Sequence, residues 1–431
     1  MKLFLFVLIA LFALGEADHF QVQLNRHETL RKTLIKQEKW SELRKLNQQV
    51  LNARLDSTNQ TLYNFLDEEF NIVLLVGSPS QKFVVLPDTT GANLWLTDSS
   101  CNQSYIDCPD YCYASVDWCN RYCDKSCCKN QFAKFDIPAD PCLNKTKYQS
   151  GKSSTYQVDG RNFHLNYGIG NVSGFLGMDT VSLGKDNHLI KIPQTTFGQA
   201  NKLSIHFTNV PIDGVFGLGF TKAAVDNVQT PLERAIQLGL FDEPVFTVFV
   251  QSEQQQSRKS PNSKLPPAGG LVTFGIKDKL NCKSFDSYIP LSGDSEWQFN
   301  VEAVGPNNQL RQGPYKTLLS IGSSMMIGTT ATLMDLVDTL NAEYNFDLGL
   351  YTVKCNVQFT WTLRANNADY KLDGKQFLWP FNGDDCILTY NGWDESTPDG
   401  VKLFLGLPLV HQFCVLFDIG KKQISLAEHL N

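Results

Sequence analysis

One short pattern occurs once in each half of this chain, and it constrains the fold more than any other feature. The first copy reads Val85-Leu86-Pro87-Asp88-Thr89-Thr90-Gly91-Ala92-Asn93-Leu94-Trp95. The second reads Leu318-Leu319-Ser320-Ile321-Gly322-Ser323-Ser324-Met325-Met326-Ile327-Gly328. Each is an apolar run that stops at a small polar residue, turns through glycine and resumes apolar. An apolar, glycine-closed run follows each copy: Val215-Phe216-Gly217-Leu218-Gly219 after the first, Leu403-Phe404-Leu405-Gly406 after the second. The same order of elements in both halves predicts two related lobes.

The rest of the chain says what the lobes are made of. Beyond about residue 60, runs rich in Val, Ile, Leu, Phe and Tyr alternate with Gly, Pro, Asn and Asp turns. Phe70 to Val76, Lys82 to Leu86, Phe163 to Tyr167 and Phe246 to Val250 read as strands. Only short stretches, Pro231 to Leu238 and Ala331 to Leu340, read as helices, so the fold class is all-β. A length of 431 residues allows two or three domains and a large core. The polar stretch Gln251 to Lys264 reads as a mobile loop between the halves.

The N-terminus has a different character. Lys2 is followed by an apolar run from Leu3 to Leu14 and then by the small residues around Gly15. That is the pattern of an export signal over residues 1–17, and the run is too short to span a bilayer, which takes about 20 residues. No later stretch is long and apolar enough to be transmembrane. The expectation is a secreted, extracellular protein or one of the lysosomal lumen. Asn59, Asn102, Asn144 and Asn171 each open an Asn-x-Ser/Thr glycosylation acceptor. Residues 19–55 hold Arg26, Arg31, Lys32, Lys36, Lys39, Arg44, Lys45 and Arg54 against Glu28, Glu38 and Glu42, while the whole chain carries a net charge of −6. A basic leader ahead of an acidic body implies an internal electrostatic partner and not a nucleic acid. Leu30, Leu34, Leu43, Leu46 and Val50 recur at helical spacing across residues 26–51.

The two loops resemble the active-site loops of the pepsin-like aspartic proteases (peptidase family A1), each of which carries Asp-Thr-Gly followed by Ser or Thr. The resemblance covers nearly the whole chain. Gly77-Ser78-Pro79-Ser80-Gln81 is similar to the turn before the family's first loop, and Asn166-Tyr167-Gly168-Ile169-Gly170 to its flap, with Tyr167 as the characteristic tyrosine. Asp213 to Gly219, Tyr288-Ile289-Pro290-Leu291 with Trp297-Gln298-Phe299, and Val415 to Gly420 follow in the family's order. The resemblance implies a bilobal pepsin-like fold with a cleft between two related β lobes. It also implies a basic prosegment-like region over residues 18–60, an N-terminal lobe over 61–250 and a C-terminal lobe over 251–431.

It implies a chemistry as well, and here the chain departs from the pattern. In the family two carboxylates about 3 Å apart share one proton, one serving as general base for water and the other as acid. Asp88 is retained, but Ser320 stands where the second aspartate belongs, and a hydroxyl does not ionise in that pH range. The catalytic positions are thus Asp88, Ser320, Thr89 and the flap Tyr167, in a degenerate dyad. Asp88 alone is expected to titrate as an ordinary carboxylate. Ile321 replaces the partner of Thr89, so the symmetric hydroxyl link between the loops is expected to be broken. Thr90 replaces a glycine, Gly91 replaces the hydroxyl residue that bonds the first carboxylate, Ile169 a flap hydroxyl residue, and Leu407 an aspartate near the end of the second lobe. Most of the hydrogen bonding around Asp88 is expected to be lost. The scattered histidines offer no triad, no G-x-S-x-G elbow is present, and no metal or cofactor is implied.

The chain has 12 cysteines. Cys101, Cys108, Cys112, Cys119, Cys123, Cys127, Cys128 and Cys142 crowd into an insertion at 101–142, read as a disulfide knot, with zinc the less favoured alternative in an exported chain. Eight cysteines leave the pairing open. Cys355 and Cys386 sit where the family has a disulfide, which leaves Cys282 with Cys414, each bridge contributing about 2–4 kcal/mol. Three functions remain: a non-catalytic monomer whose cleft binds an extended peptide or protein, an active acid endopeptidase with an atypical site, or a scaffold whose aromatic, Cys-rich insertion is the working surface.

Overall fold

The computed structural model describes residues 20–41, 70–102, 140–167, 171–185, 188–204, 207–208, 210–250, 268–394 and 400–430. The export signal, the end of the prosegment-like region, Asn59, the flap tip 168–170, the 251–264 loop and Cys108, Cys112, Cys119, Cys123, Cys127 and Cys128 lie outside them.

The described residues form a mostly β, bilobal fold. Alternation builds the strands: in Phe70–Val76 every second side chain, Phe70, Ile72, Leu74 and Val76, is buried. Where a strand is covered on both faces the alternation vanishes, as in Val245–Val250 and Phe413–Asp418, which are buried throughout. These two pair with each other as interior strands near one end of a 13-stranded sheet that runs through both halves of the molecule. Phe246, Phe417, Trp297 and Phe220 stack at its heart, and Trp297 Nε1 donates to Leu218 O at 2.9 Å. This joins the start of the second lobe to the glycine-closed run of the first. A seven-stranded sheet and a four-stranded sheet complete the C-terminal half.

The doubled pattern is a doubled topology. Gln81–Asp88 runs parallel to Gly214–Gly217, which is antiparallel to Leu94–Thr97, which in turn runs parallel to His188–Leu203. In the second half Arg311–Leu319 runs parallel to Leu403–Leu405, which is antiparallel to Met326–Gly328, which runs parallel to Tyr390–Gly392. The glycines are needed because the strands cross at backbone contact. A Cβ on Gly214 would lie 2.0 Å from Trp95 O, and one on Gly406 2.2 Å from Met325 O.

The helices at Pro231–Gln237 and Thr330–Leu340 are capped by the hydroxyls of Thr230 and Thr329, which accept from the N–H groups of Glu233 and Thr332. The expected helix over 26–51 begins later. Phe20–Arg26 is a strand, inserted between Ala268–Phe274 and Phe70–Val76 and antiparallel to both. Only Leu30–Lys36 is the helix, capped by Thr29. Residues beyond 41 lie outside the described part.

Disulfides join Cys101 to Cys142, Cys282 to Cys414 and Cys355 to Cys386. Asn102, Asn144 and Asn171 are exposed. Among the described residues no helix is long and apolar enough to cross a membrane.

Candidate active site

The two loops meet. Asp88 ends its strand, and its own carbonyl accepts from Leu218 N at 2.7 Å. Ser320 follows its strand directly, is 4% exposed, and its N–H donates to Leu405 O at 2.9 Å. The contact across the interface is made by Thr89, which is 1% exposed. Its hydroxyl donates to Leu319 O at 2.8 Å and accepts from Ile321 N at 3.2 Å. The symmetry of the link is lost, as Ile321 implies, but its Thr89 half persists and still ties the loops together. One hydroxyl reaches both backbone groups that flank Ser320, and Ile321, 2% exposed, packs into the main core.

The expectation of a stripped carboxylate is corrected. Thr90 N and Thr90 Oγ1 both donate to Asp88 Oδ1, at 2.8 and 2.6 Å. Gly91 lies beneath the other oxygen: a Cβ there would sit 2.5 Å from Oδ2. The hydroxyl missing from position 91 is supplied from position 90, and the bare position has moved to 91. Nor is Asp88 an ordinary carboxylate. Burial holds its carboxyl above the usual range, against the downward pull of the Thr90 hydroxyl and of the Thr90 and Gly91 N–H groups.

Tyr167 stands beside the first loop. Trp95 Nε1 donates to Tyr167 OH at 2.6 Å, and the rings of Tyr167 and Phe207 meet edge-on at 5.9 Å. Burial raises the Tyr167 phenol, and the Asp88 charge adds to the rise, so tyrosine and carboxyl share one environment. In the second loop Ser323 Oγ donates to Met325 O at 2.9 Å, and Leu407 N donates to Ser323 O at 2.7 Å as it opens the short helix Leu407–Val410.

The leader covers the second loop. Arg31, 8% exposed, points Nη1 at Met325 Sδ at 2.6 Å, with its guanidinium 5.1 Å from the centre of the Trp40 ring. Leu34, Ile35 and Trp40 pack with Met325, Leu348, Leu350 and Ile387, and Trp40 Nε1 donates to Leu348 O. Sequence reading missed these partners, because Arg31 and Met325 stand 294 residues apart along the chain and Trp40 and Leu348 stand 308 apart. Its one available clue for Thr90 was a hydroxyl adjacent to the place where one is expected.

Fold, loops and flap define a two-lobed aspartic-protease architecture. The chain belongs to the eukaryotic aspartyl protease family, whose family model matches residues 69–429. Among its relatives, aspartic protease 2 of Necator americanus is 30% identical over 374 residues, 85% of either chain. Aspartic protease 1 of Caenorhabditis elegans is 27% identical over 427 residues, 98% of either chain. Renin of Canis lupus familiaris is 28% identical over 387 residues, 87% of this chain and 83% of its own.

Proposed function

We propose that this protein binds an extended peptide or a protein segment in a pepsin-like cleft and does not cleave it. The observation that carries the reading is Ser320, a hydroxyl at the place in the second half that matches Asp88 in the first. Dividing labour between a general base and a general acid needs two titrating groups, and the influences on Asp88 are burial and the Thr90 and Gly91 donors, with no second carboxylate among them. Loss of one positioned proton-transfer group costs about 10²–10⁴-fold in rate. Peptide capture along a cleft rests on backbone pairing and side-chain pockets, and neither requires the dyad. In this reading residues 1–17 are removed on export, the basic leader is a retained or cleaved prosegment, the exposed Asn102, Asn144 and Asn171 carry glycans, and the monomer works outside the cell or in the lysosomal lumen.

A second reading, an acid endopeptidase with a single aspartate, is favoured by one observation: burial keeps the Asp88 carboxyl protonated to higher pH than usual, as an acid catalyst requires. The test is cleavage of unfolded casein by the purified protein from about pH 3 to about pH 7, beside Asp88→Asn. No cleavage by either is the expected result. Cleavage by the parent alone establishes the second reading.

A further inference from the structure

The residues after Asp88 stand in an unusual order, a branched hydroxyl residue and then a bare glycine, and each has a geometric consequence. Thr90 is exposed, yet both its polar donors turn back onto a single oxygen, Oδ1 of Asp88. Gly91 admits Oδ2 to a space that any β-carbon would occupy, at 2.5 Å, and its N–H adds a third donor to the carboxyl. The two positions therefore act together, one pulling the carboxyl by Oδ1 and the other making room for Oδ2.

We propose that Thr90 is a positioning residue for Asp88: its N–H and hydroxyl fix the carboxyl plane with Oδ1 held by the loop, so that Oδ2 is the oxygen presented to the backbone of a peptide in the cleft. This rests on the reading of the cleft as a peptide-binding site. With Oδ1 saturated by two donors, the carboxyl proton resides on Oδ2, and the acid form of Asp88 donates to a peptide carbonyl. The ionised form accepts from a peptide N–H at the same oxygen. Thr90 sets the pH at which one form replaces the other, because a hydrogen bond to the ionised carboxylate favours that form. The ligand class that suits such a group is an extended peptide backbone passing over the first loop, gripped by a single carboxyl oxygen.

The experiment follows the Asp88 carboxyl carbon by NMR in the full chain labelled with 13C-aspartate, assigned by its loss in Asp88→Asn. Titration of the parent is compared with Thr90→Val, which keeps the shape and removes the hydroxyl, and with Thr90→Ser, which keeps the hydroxyl. The midpoint is expected to rise by about one pH unit in Thr90→Val and to stay at the parent value in Thr90→Ser. Gly91→Ala forces Oδ2 to move, and the Asp88 resonance shifts at every pH. A Thr90→Val midpoint equal to the parent's overturns the proposal. The readout does not depend on whether the cleft cuts or only binds. Casein cleavage by the parent would overturn the functional reading and leave Thr90 in place, while an unmoved midpoint would remove Thr90 and leave that reading untouched.

Discussion

Thr89 ties the two loops together through a single hydroxyl. In a symmetric site two hydroxyls share that work; here one side chain, 1% exposed, serves Leu319 O and Ile321 N together. Thr89→Val keeps the volume and leaves both buried backbone groups without this partner. The expected loss is about 1–3 kcal/mol for each group, seen as a lower urea midpoint at unchanged slope, whereas Thr89→Ser stays near the parent. Equal midpoints for Val and Ser variants would show that the joint does not depend on the hydroxyl. Ser320 makes the complementary test at the same scale. Ser320→Asp returns a second carboxyl to the loop opposite Asp88, and two such groups divide one proton. Acid cleavage of casein is expected to rise at least about tenfold over the parent, short of a full protease because Ile321 still lacks a hydroxyl. Failure to rise would mean that the rearranged Thr90-Gly91 pair, and not the missing carboxylate, limits the chemistry.

At the scale of elements the leader is part of the body. Its strand Phe20–Arg26 pairs along most of its length with Ala268–Phe274 and joins that strand to Phe70–Val76. Its helix and Trp40 then seat on the apolar face around Met325, Leu350 and Ile387, with Lys32 Nζ 4.9 Å from the centre of the Trp379 ring. Trp40→Ala removes the bond to Leu348 O and a side chain that is 8% exposed, a loss of about 3–5 kcal/mol for a buried tryptophan. Because the seat is local, it should show as proteolytic cutting near residues 37–41 at least about tenfold faster, with the bodies of the lobes still resistant. Unchanged cutting would argue that the strand alone holds the leader. The same elements show what a chain discloses in advance. Phe70–Val76 was legible because one buried face imposes a period of two, and the helix at Pro231 because Thr-Pro marks its start. The doubled topology was legible because close strand crossings demand glycine. The leader strand was not, since its partner lies about 250 residues away and nothing local distinguishes it from the start of the helix that follows. The exchange of roles between Thr90 and Gly91 and the raised Asp88 were hidden for a different reason, since these residues are chain neighbours. Hydrogen-bond direction and burial belong to the assembled site, and the resemblance supplied only the positions.

Across the whole molecule the leader is tied to the far end of the chain by a contact that acid opposes. Arg26 Nη2 lies 3.1 Å from His411 Nε2, and because a guanidinium only donates, Nε2 must accept, which places the ring proton on Nδ1. Burial, then the charges of Arg26 from the leader strand, Lys32 from the leader helix and His429 just after the last strand, push the His411 pKa down to about 3. His429, itself buried beside Phe249, is lowered by burial too, against a backbone hydrogen bond with Phe413 that raises it. The sign follows from linkage. A histidine depressed in the folded state is neutral there while the unfolded chain takes up a proton near pH 6.5, so its contribution to stability is whole above that pH and is lost as the pH falls toward the folded value. The slope from His411 reaches about 1.4 kcal/mol per pH unit in that window. His411→Gln offers an amide oxygen to Arg26 without titrating. Between pH 7.5 and about pH 4.5 the parent's urea midpoint should fall further than the variant's, and the difference isolates His411 from carboxylates common to both. Parallel pH profiles would mean that the ring takes up its proton in the folded protein as readily as in the unfolded chain, and that the Arg26 contact does not hold it neutral. A steeper parent would mean that acid weakens the junction between leader and body through the His411 ring, which must give up its bond to Arg26 when it takes a proton.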